Sequence, residues 1–435
     1  MPDRCLAEWL TLLEARHPSE IDLGLERVSA VWSELVARRA QTQTPIRLPT
    51  AISVAGTNGK GSCVASMQAI MLHHGYRVGA TTSPHFIDYN ERICVQGEPV
   101  CDALIVAAFA EIEAARGEIS LTYFEFGALA ALLVFAGAEL DIMLLEVGLG
   151  GRLDAINIID ADVALLTSIA LDHQAWLGDT RELIAVEKLG IARPARPLLI
   201  GEADRPSGFS QMIAATGARA LHIDVDFSLA IQAEQFSAQV VAADGSQKTL
   251  AGLPSSGLLP INKTLAIQAL LSAGFELEET LVKRAFNSLS LSGRQQQVEF
   301  DGVKIILDVA HNPAAAVALA ENLPQIAGRY SAVASVLADK DWAGIVAPLS
   351  AVFDDWHVAE ISANERRTKG QTLIEVLYNA DLSATLHGTL QEAFFKALQQ
   401  SGKNDAVVVF GSFYTVSAVL ELMRELQNTT DGFIQ

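Results

Sequence analysis

Gly56-Thr57-Asn58-Gly59-Lys60-Gly61-Ser62 follows the apolar run Ala51-Ile52-Ser53-Val54-Ala55 and precedes a segment, 63–72, that can continue as a helix. A strand, a glycine-rich turn, a lysine and a helix N-terminus in that order make an anion site. Backbone N–H groups point at a polyphosphate, the helix dipole favours negative charge, and the lysine neutralises it. The segment therefore predicts a nucleoside triphosphate site. Its spacing departs from the common phosphate loop, which has four residues between the first glycine and the Gly-Lys pair. Here Thr57 and Asn58 stand alone between Gly56 and Gly59, and Gly61 replaces the usual Ser or Thr after the lysine. The competing reading is a surface turn with a solvated lysine. It gives no reason for strand, loop and helix to fall in this order.

Outward from the loop, β-rich runs at 51–55, 76–81, 141–147, 162–168 and 197–200 alternate with helical stretches at 63–74, 102–116, 123–136 and 181–191. That alternation predicts a mostly parallel sheet covered by helices on both faces, with ligands beyond the carboxyl ends of its strands. Residues 222–252 alternate as antiparallel strands do, with a turn signal at Asp244-Gly245, and helices are expected at 264–273 and 278–288. Ser292-Gly293-Arg294 marks a junction. After it a second alternation begins, with strands at 303–309, 331–337, 354–359 and 405–411 and helices at 313–323, 371–379, 390–400 and 415–427. The expected fold class is two-domain α/β: a P-loop-type, mostly parallel sheet ATPase domain over 1–291, then a smaller Rossmann-like α/β domain over 292–435.

The length of 435 residues also favours two domains over one core. Half the chain is hydrophobic and 19% is charged, a globular composition. The net charge of -20 argues against a nucleic-acid binder, which would carry a basic face. The four cysteines, at 5, 63, 94 and 101, form no Cys-x-x-Cys pair, so neither a zinc ribbon nor a disulfide framework is indicated. The N-terminal residues lack a signal-type apolar core, and the longest apolar run, 126–138, falls short of the roughly 20 residues a membrane span needs. No membrane association and a cytoplasmic location are expected.

Several constellations carry chemistry. Glu146 ends an apolar strand and is followed by Gly148-Leu149-Gly150-Gly151-Arg152-Leu153-Asp154. A strand-end carboxylate beside a phosphate loop suits Mg²⁺, which prefers oxygen ligands shared with substrate phosphates. Ser83, in Thr82-Ser83-Pro84, offers a hydroxyl to the same ion or is an ordinary turn residue. In Leu171-Asp172-His173 the imidazole can ligate a metal with Asp172 orienting it, or sit in a loop. Lys188 near a helix C-terminus reads, on physics alone, as a surface lysine. Asp308 ends another strand and could hold a nucleotide ribose, while His311-Asn312 could equally cap a helix that starts with Pro313.

Together these pieces resemble the bacterial bifunctional dihydrofolate synthase/folylpolyglutamate synthase family of the Mur-ligase-like superfamily. The resemblance runs from Ile21-Asp22-Leu23-Gly24-Leu25-Glu26-Arg27-Val28 to Gly411-Ser412-Phe413, nearly the whole chain. Gly-Thr-Asn-Gly-Lys occurs across the superfamily, whereas Leu121-Thr122-Tyr123-Phe124-Glu125 and the block from Glu146 to Asn157 look specific to the folate branch. Leu171-Asp172-His173 and the stretch from Asp308 to Pro313 also match.

The resemblance implies an ATP-dependent amide ligase that joins L-glutamate to 7,8-dihydropteroate and to reduced folates. It implies that Thr57, Asn58, Gly59, Lys60, Gly61 and Ser62 cradle ATP, and that Ser83, Glu146 and His173 hold Mg²⁺. It implies a carboxylated lysine at Lys188, which displaces the surface reading of that residue. Asn262, Arg294 and Asp308 match nucleotide-binding positions. Asp22, Leu23, Gly24, Leu25, Thr122, Tyr123, Phe124, Glu125, Leu153, Asp154 and Ala155 match the pterin-side pocket. His311 is expected to orient or handle the incoming nucleophile, alongside Lys60 and Lys188 as catalytic groups, and members of the family tend to be monomers. The chain departs from the family pattern at Gln174-Ala175, Ser292, Gln295 and Lys263-Thr264. A cell-wall Mur ligase is the near rival, but the fifty or so residues before the loop are few for its extra sugar-nucleotide domain. A P-loop phosphotransferase or a nucleotide-switched binding protein is the rival of another class, and neither would need glutamate.

Overall fold

Strand β1, Thr50–Ala55, lies inside a sheet of eight strands. The others are β2 (Val78–Thr81), β3 (Ile93–Val95), β4 (Glu98–Pro99), β5 (Ile142–Glu146), β6 (Val163–Leu166), β7 (Pro197–Ile200) and β8 (Arg219–His222). Their order is β4-β3-β2-β5-β1-β6-β7-β8. From β2 to β8 all pairings are parallel, and β3 and β4 add an antiparallel edge. The protein is seen in a computed structural model that describes residues 4–16, 21–42, 45–300, 302–362 and 366–431. The chain divides into two compact units, Met1–Leu289 and Ser290–Gln435.

In the first unit the central strands read as continuous apolar runs because both faces are covered. The helix Lys60–His73 buries Cys63, Val64, Met67, Ile70 and Met71, one stripe at helical spacing, and packs on the helix Pro260–Ser272. The apolar run at 126–138 belongs to the helix Tyr123–Gly137, which is buried nearly all round against the opposite face. No helix among the described residues is long and apolar enough to cross a membrane. Two helices missing from the sequence reading, Leu6–Arg16 and Glu26–Ala40, cover that face as well, with Trp9 edge-on to Phe109 at 5.9 Å.

The region expected to be antiparallel over 222–252 is shifted. His222 closes β8 of the main sheet, and the antiparallel sheet comprises β9 (Ser228–Gln232), β10 (Gln235–Val241) and β11 (Gln247–Pro254). The following helix starts at Pro260, not 264, because proline suits the first helical position. Asn262 and Lys263 therefore sit in its first turn.

The second unit is a six-stranded sheet of order β12-β13-β17-β14-β15-β16. Its strands are β12 (Gln296–Phe300), β13 (Val303–Leu307), β14 (Tyr330–Ala334), β15 (Asp355–Val358), β16 (Ala384–Leu386) and β17 (Ala406–Phe410). Apart from the antiparallel edge strand β12, which the sequence reading lacked, the sheet is parallel. Its core gathers Ile306, Val408, Phe410, Trp342, Trp356 and Phe353. The helix Trp342–Leu349 was also unforeseen, since Pro348 near its end breaks the expected pattern.

Candidate active site

β2, β5, β1 and β6 are neighbours and run parallel, so their carboxyl ends open on one edge of the sheet. β2 leads into Thr82-Ser83, β5 ends in Glu146, β1 runs into the glycine loop, and β6 leads to Thr167 and on to His173. The register places Val54 beside Glu146 and Ala55 beside Leu166. Strand ends and loops drawn from residues 56 to 173 are thereby brought to a single rim.

The loop is held by its neighbour. The Thr57 N–H donates to the Ser168 carbonyl at 2.9 Å, and the Thr57 hydroxyl both accepts from the Ala170 N–H and donates to the Ala170 carbonyl. The Asn58 N–H donates to Ser168 Oγ, while the Asn58 carbonyl accepts from the Thr167 and Ser168 hydroxyls. Gly59 precedes the helix at φ 87°, and a Cβ there would lie 2.6 Å from Asn262 Oδ1. Glycine is required on both counts, and Asn262 is thereby placed against the loop. Lys60 Nζ donates to the carbonyls of Gly56 at 3.0 Å and Thr57 at 3.3 Å. Gly61 faces Glu146: a Cβ there would be 3.5 Å from its Oε2. Ser62 is buried in the first turn of the helix. Lys263 is fully buried and donates to the carbonyls of Pro254 and Ser256, so this departure from the family pattern ties down the strand–helix connection next to Asn262. Burial pushes its amine down to about 8.

Among the expected metal residues, Glu146 is only 5% exposed, and its Oε2 accepts from the Ser83 N–H at 3.3 Å. His173 adopts the left-handed conformation, φ 51°, uncommon for a residue other than glycine. Asp172 Oδ1 accepts from the His173 N–H at 2.8 Å and lies 4.0 Å from its Nε2, so Asp172 fixes the backbone more closely than the ring. Lys188 is not a surface residue: it is 4% exposed. Burial lowers its amine to about 7, helped by the positive charge of Lys60 and opposed by Asp172 and Asp154. Asp154 is buried too and is raised to about 6 by desolvation, against hydrogen bonds from the N–H groups of Leu149 and Ile156 and the charge of Lys60. Lys60, Asp154, Asp172 and Lys188 thus form one electrostatic cluster.

On the other side of Glu146 opens a cavity lined by Thr82, Ser83, Arg92, Phe124, Glu146 and Ile156, among others. Phe124 lies over Gly148, where a Cβ would come within 2.6 Å of its ring. Thr122 and Glu125 spend their polar groups on a capping box of the helix Tyr123–Gly137. Glu125 also pairs with Arg27 at 3.1 Å, and Arg27 pairs with Asp22 at 2.7 Å. The Gly24 N–H donates to the Leu153 carbonyl at 3.2 Å. So 22–25, 122–125 and 153–155 do lie together, while Asp22, Thr122 and Glu125 hold the wall more than they line it. Leu23 and Leu25 stay half-buried beside it, and Ala155 is buried.

Sequence reasoning gave no role to Arg27, which lies in the matching segment 21–28, and passed over Arg92. Arg92 is the cation lining the cavity, and it lies over the rings of Tyr89 and Tyr123, each centroid 5.5 Å from its Cζ. The signal available was the charged pair Glu91-Arg92 following the strand that leads into Ser83.

In the second unit, Asp308 follows β13, and its carboxylate accepts from the N–H groups of Gln295 and Ala310 at 2.9 and 2.8 Å. Desolvation raises it, opposed first by Arg294. The Arg294 guanidinium lies 5.0 Å over the Phe413 ring. His311 Nδ1 contacts the Val309 carbonyl at 2.7 Å, which directs Nε2 elsewhere. Asn312, not His311, caps the helix Pro313–Asn322, its Oδ1 accepting from the Ala315 N–H.

A family description, "Mur ligase, glutamate ligase domain", matches residues 293–413. The dihydrofolate synthase/folylpolyglutamate synthase of Escherichia coli is 42% identical over 420 residues, covering 96% of this chain and 95% of its own length. That of Haemophilus influenzae is 38% identical over 433 residues, covering 95% and 96%. The chain belongs to the dihydrofolate synthase/folylpolyglutamate synthase family. Solved structures agree. E. coli FolC in complex with DHPP and ADP superposes with a TM-score of 0.90 at 40% identity, covering 98% of this chain and 99% of that one. A bifunctional folylpolyglutamate synthase/dihydrofolate synthase with Mn, AMPPNP and L-glutamate bound gives 0.87 at 40% identity, with coverage of 98% and 99%.

Proposed function

We infer that this chain is an ATP-dependent carboxylate–amine ligase. It adds L-glutamate to 7,8-dihydropteroate, giving dihydrofolate, and to the γ-carboxylate of reduced folates, giving folylpolyglutamates. The observation that carries the reading is the common rim: the glycine loop, Glu146, Ser83 and His173 at four adjacent parallel strand ends, with the Phe124–Arg92 cavity opening beside them.

The acid substrate enters that cavity with its carboxylate toward the loop. Phe124 and Ile156 supply apolar walls for a pteridine, and Arg92 supplies positive charge. Thr57 to Ser62 direct backbone N–H groups at the triphosphate, and Lys60 exchanges its two loop carbonyls for charged phosphate oxygens, which bind an ammonium more strongly. The substrate carboxylate attacks the γ-phosphorus, the bond to the β–γ bridging oxygen breaks, and ADP leaves. The amine of L-glutamate then attacks the acyl phosphate, loses a proton and expels phosphate. Positioning and charge supply most of the rate. In the second domain Arg294 and Asp308 take the nucleotide, and His311 orients the amine.

Ser83, Glu146 and His173 would hold Mg²⁺. They fit it: a carboxylate 5% exposed at a phosphate site is the group a divalent cation makes favourable to bury. When bound, the ion would neutralise charge gathering on the phosphoryl oxygens. Lys188 fits a carboxylated lysine, since a buried amine lowered to about 7 is substantially neutral at physiological pH and can add CO₂, releasing one proton. We place the enzyme in the cytoplasm, in keeping with four free cysteines, and assign it as a monomer.

The test is phosphate release with 7,8-dihydropteroate, with and without L-glutamate, followed by product mass. Glutamate-dependent turnover to dihydrofolate is expected. Phosphate release indifferent to both compounds would instead mark a phosphotransferase.

A further inference from the structure

Residues 83–92 form a loop closed at its neck, where the Thr82 N–H donates to the Arg92 carbonyl at 3.2 Å. Its two ends belong to the site: the Ser83 N–H reaches Glu146, and Arg92 lines the cavity. Tyr89 anchors the loop to the core, and the backbone of its tip is held by a polar group. That group is Glu91. Its Oε2 accepts from the Phe86 N–H at 2.7 Å, and its Oε1 accepts from those of Ile87 and Asp88 at 2.8 Å each. Three consecutive amides converge on one carboxylate, the charge-assisted arrangement that backbone donors satisfy best. The Glu91 carbonyl is engaged as well, by the Thr82 hydroxyl and Cys94 Sγ.

The clasp has a consequence one residue on. Arg92 Nε donates to His85 Nδ1 at 2.8 Å, and its guanidinium is stacked over Tyr89 and Tyr123. His85 is therefore an acceptor at Nδ1. Arg92 is consequently fixed by a partner on the same loop, and its two Nη groups make no hydrogen bond among the described residues. Gly127 admits the Tyr89 hydroxyl, 2.8 Å from where a Cβ would stand, so the ring that supports Arg92 is wedged against the helix behind the cavity.

We propose that Glu91 is a positioning residue for the acid substrate. By gathering the amides of 86–88 it sets His85 and Arg92, and so aligns the cavity cation with the carboxylate to be phosphorylated. This rests on the ligase reading above. The Glu91 carboxylate accepts from the amides of Phe86, Ile87 and Asp88 and not from a nucleotide or metal residue, so its loss should weigh on dihydropteroate more than on ATP.

Glu91→Gln exchanges one acceptor oxygen for an NH₂ group that faces a backbone N–H and breaks the clasp. With purified full-length enzyme, KM for 7,8-dihydropteroate should rise about tenfold or more, the scale of one lost charged hydrogen bond. KM for ATP should stay within about twofold. An unchanged KM for dihydropteroate in a folded variant overturns the proposal, and so does an equal rise for both substrates. Should the variant fail to fold, hydrogen exchange on the wild type decides: dihydropteroate should slow the amides of Phe86, Ile87 and Asp88 about tenfold and ADP should not. No ligand dependence there overturns it too. Failure of the ligase reading would show separately, as a wild type that makes no dihydrofolate, and the proposal would fall with it.

Discussion

Lys188 shows how one residue can invert its sequence reading. A lysine in the last turn of the helix Arg181–Leu189 should snorkel to water, yet this one is buried. The reason lies in the glycine-rich segment after β5. Gly151 packs so close to the helix end that a Cβ would sit 2.8 Å from the Glu187 carbonyl and 3.0 Å from that of Lys188. Asn157 ties the two together, donating to the carbonyls of Arg152 and Gly190. With the amine lowered to about 7, its neutral fraction grows from roughly a tenth at pH 6 to nine tenths at pH 8. Protein equilibrated with ¹³C-bicarbonate should therefore show a carbamate resonance that strengthens across that interval and is missing from Lys188→Ala. On our reading Lys188 stands at the edge of the metal site, where loss of a group commonly costs 10–100-fold, so Mg²⁺-dependent turnover of the variant should fall by about that much. No carbamate resonance together with full activity in the variant would remove the role.

At the scale of elements, the parallel strands and the helices between them were readable because apolar runs and helical stripes leave a periodic trace. The edges were not. β12 is an exposed edge strand, β3 and β4 are very short, and the helix Glu26–Ala40 hides its buried stripe of Val28, Val31 and Leu35 among charges. Pairing across strands is also invisible to sequence. His357 on β15 and His387 just after β16 share a contact, Nδ1 to Nε2, of 3.0 Å, which permits a single proton between them. Desolvation lowers both rings. The His387 ring and Lys396 lower His357 further while Asp355 opposes them, and at His387 Glu392 opposes Lys396. A base depressed in the fold contributes stability above its unfolded value, near 6.5, and loses it as pH falls below. The melting temperature of the wild type should thus drop between pH 7.5 and 5.5 more steeply than that of His387→Gln. Equal slopes would mean that the pair does not govern acid sensitivity.

On the scale of the whole molecule, the two units each own a core: one built on Ile52, Leu144 and Leu165, the other on Ile306, Val408 and Phe410. The family residues follow the same division, with the pterin-side and loop residues in the first unit and Arg294, Asp308 and His311 in the second. Chains with separate cores commonly unfold in more than one step, so calorimetry should resolve two transitions. 7,8-Dihydropteroate binds groups of the first unit on our reading. At a hundred times its dissociation constant it adds about 2.7 kcal/mol to that unit alone, a shift of roughly 5 °C for a body of this size. Acidification to pH 5.5 should lower the other transition, and His387→Gln should blunt that change while leaving the response to dihydropteroate intact. A single transition, moved equally by ligand and by acid, would mean that the two cores melt as one and would remove the assignment of pterin binding to the first unit by this measurement.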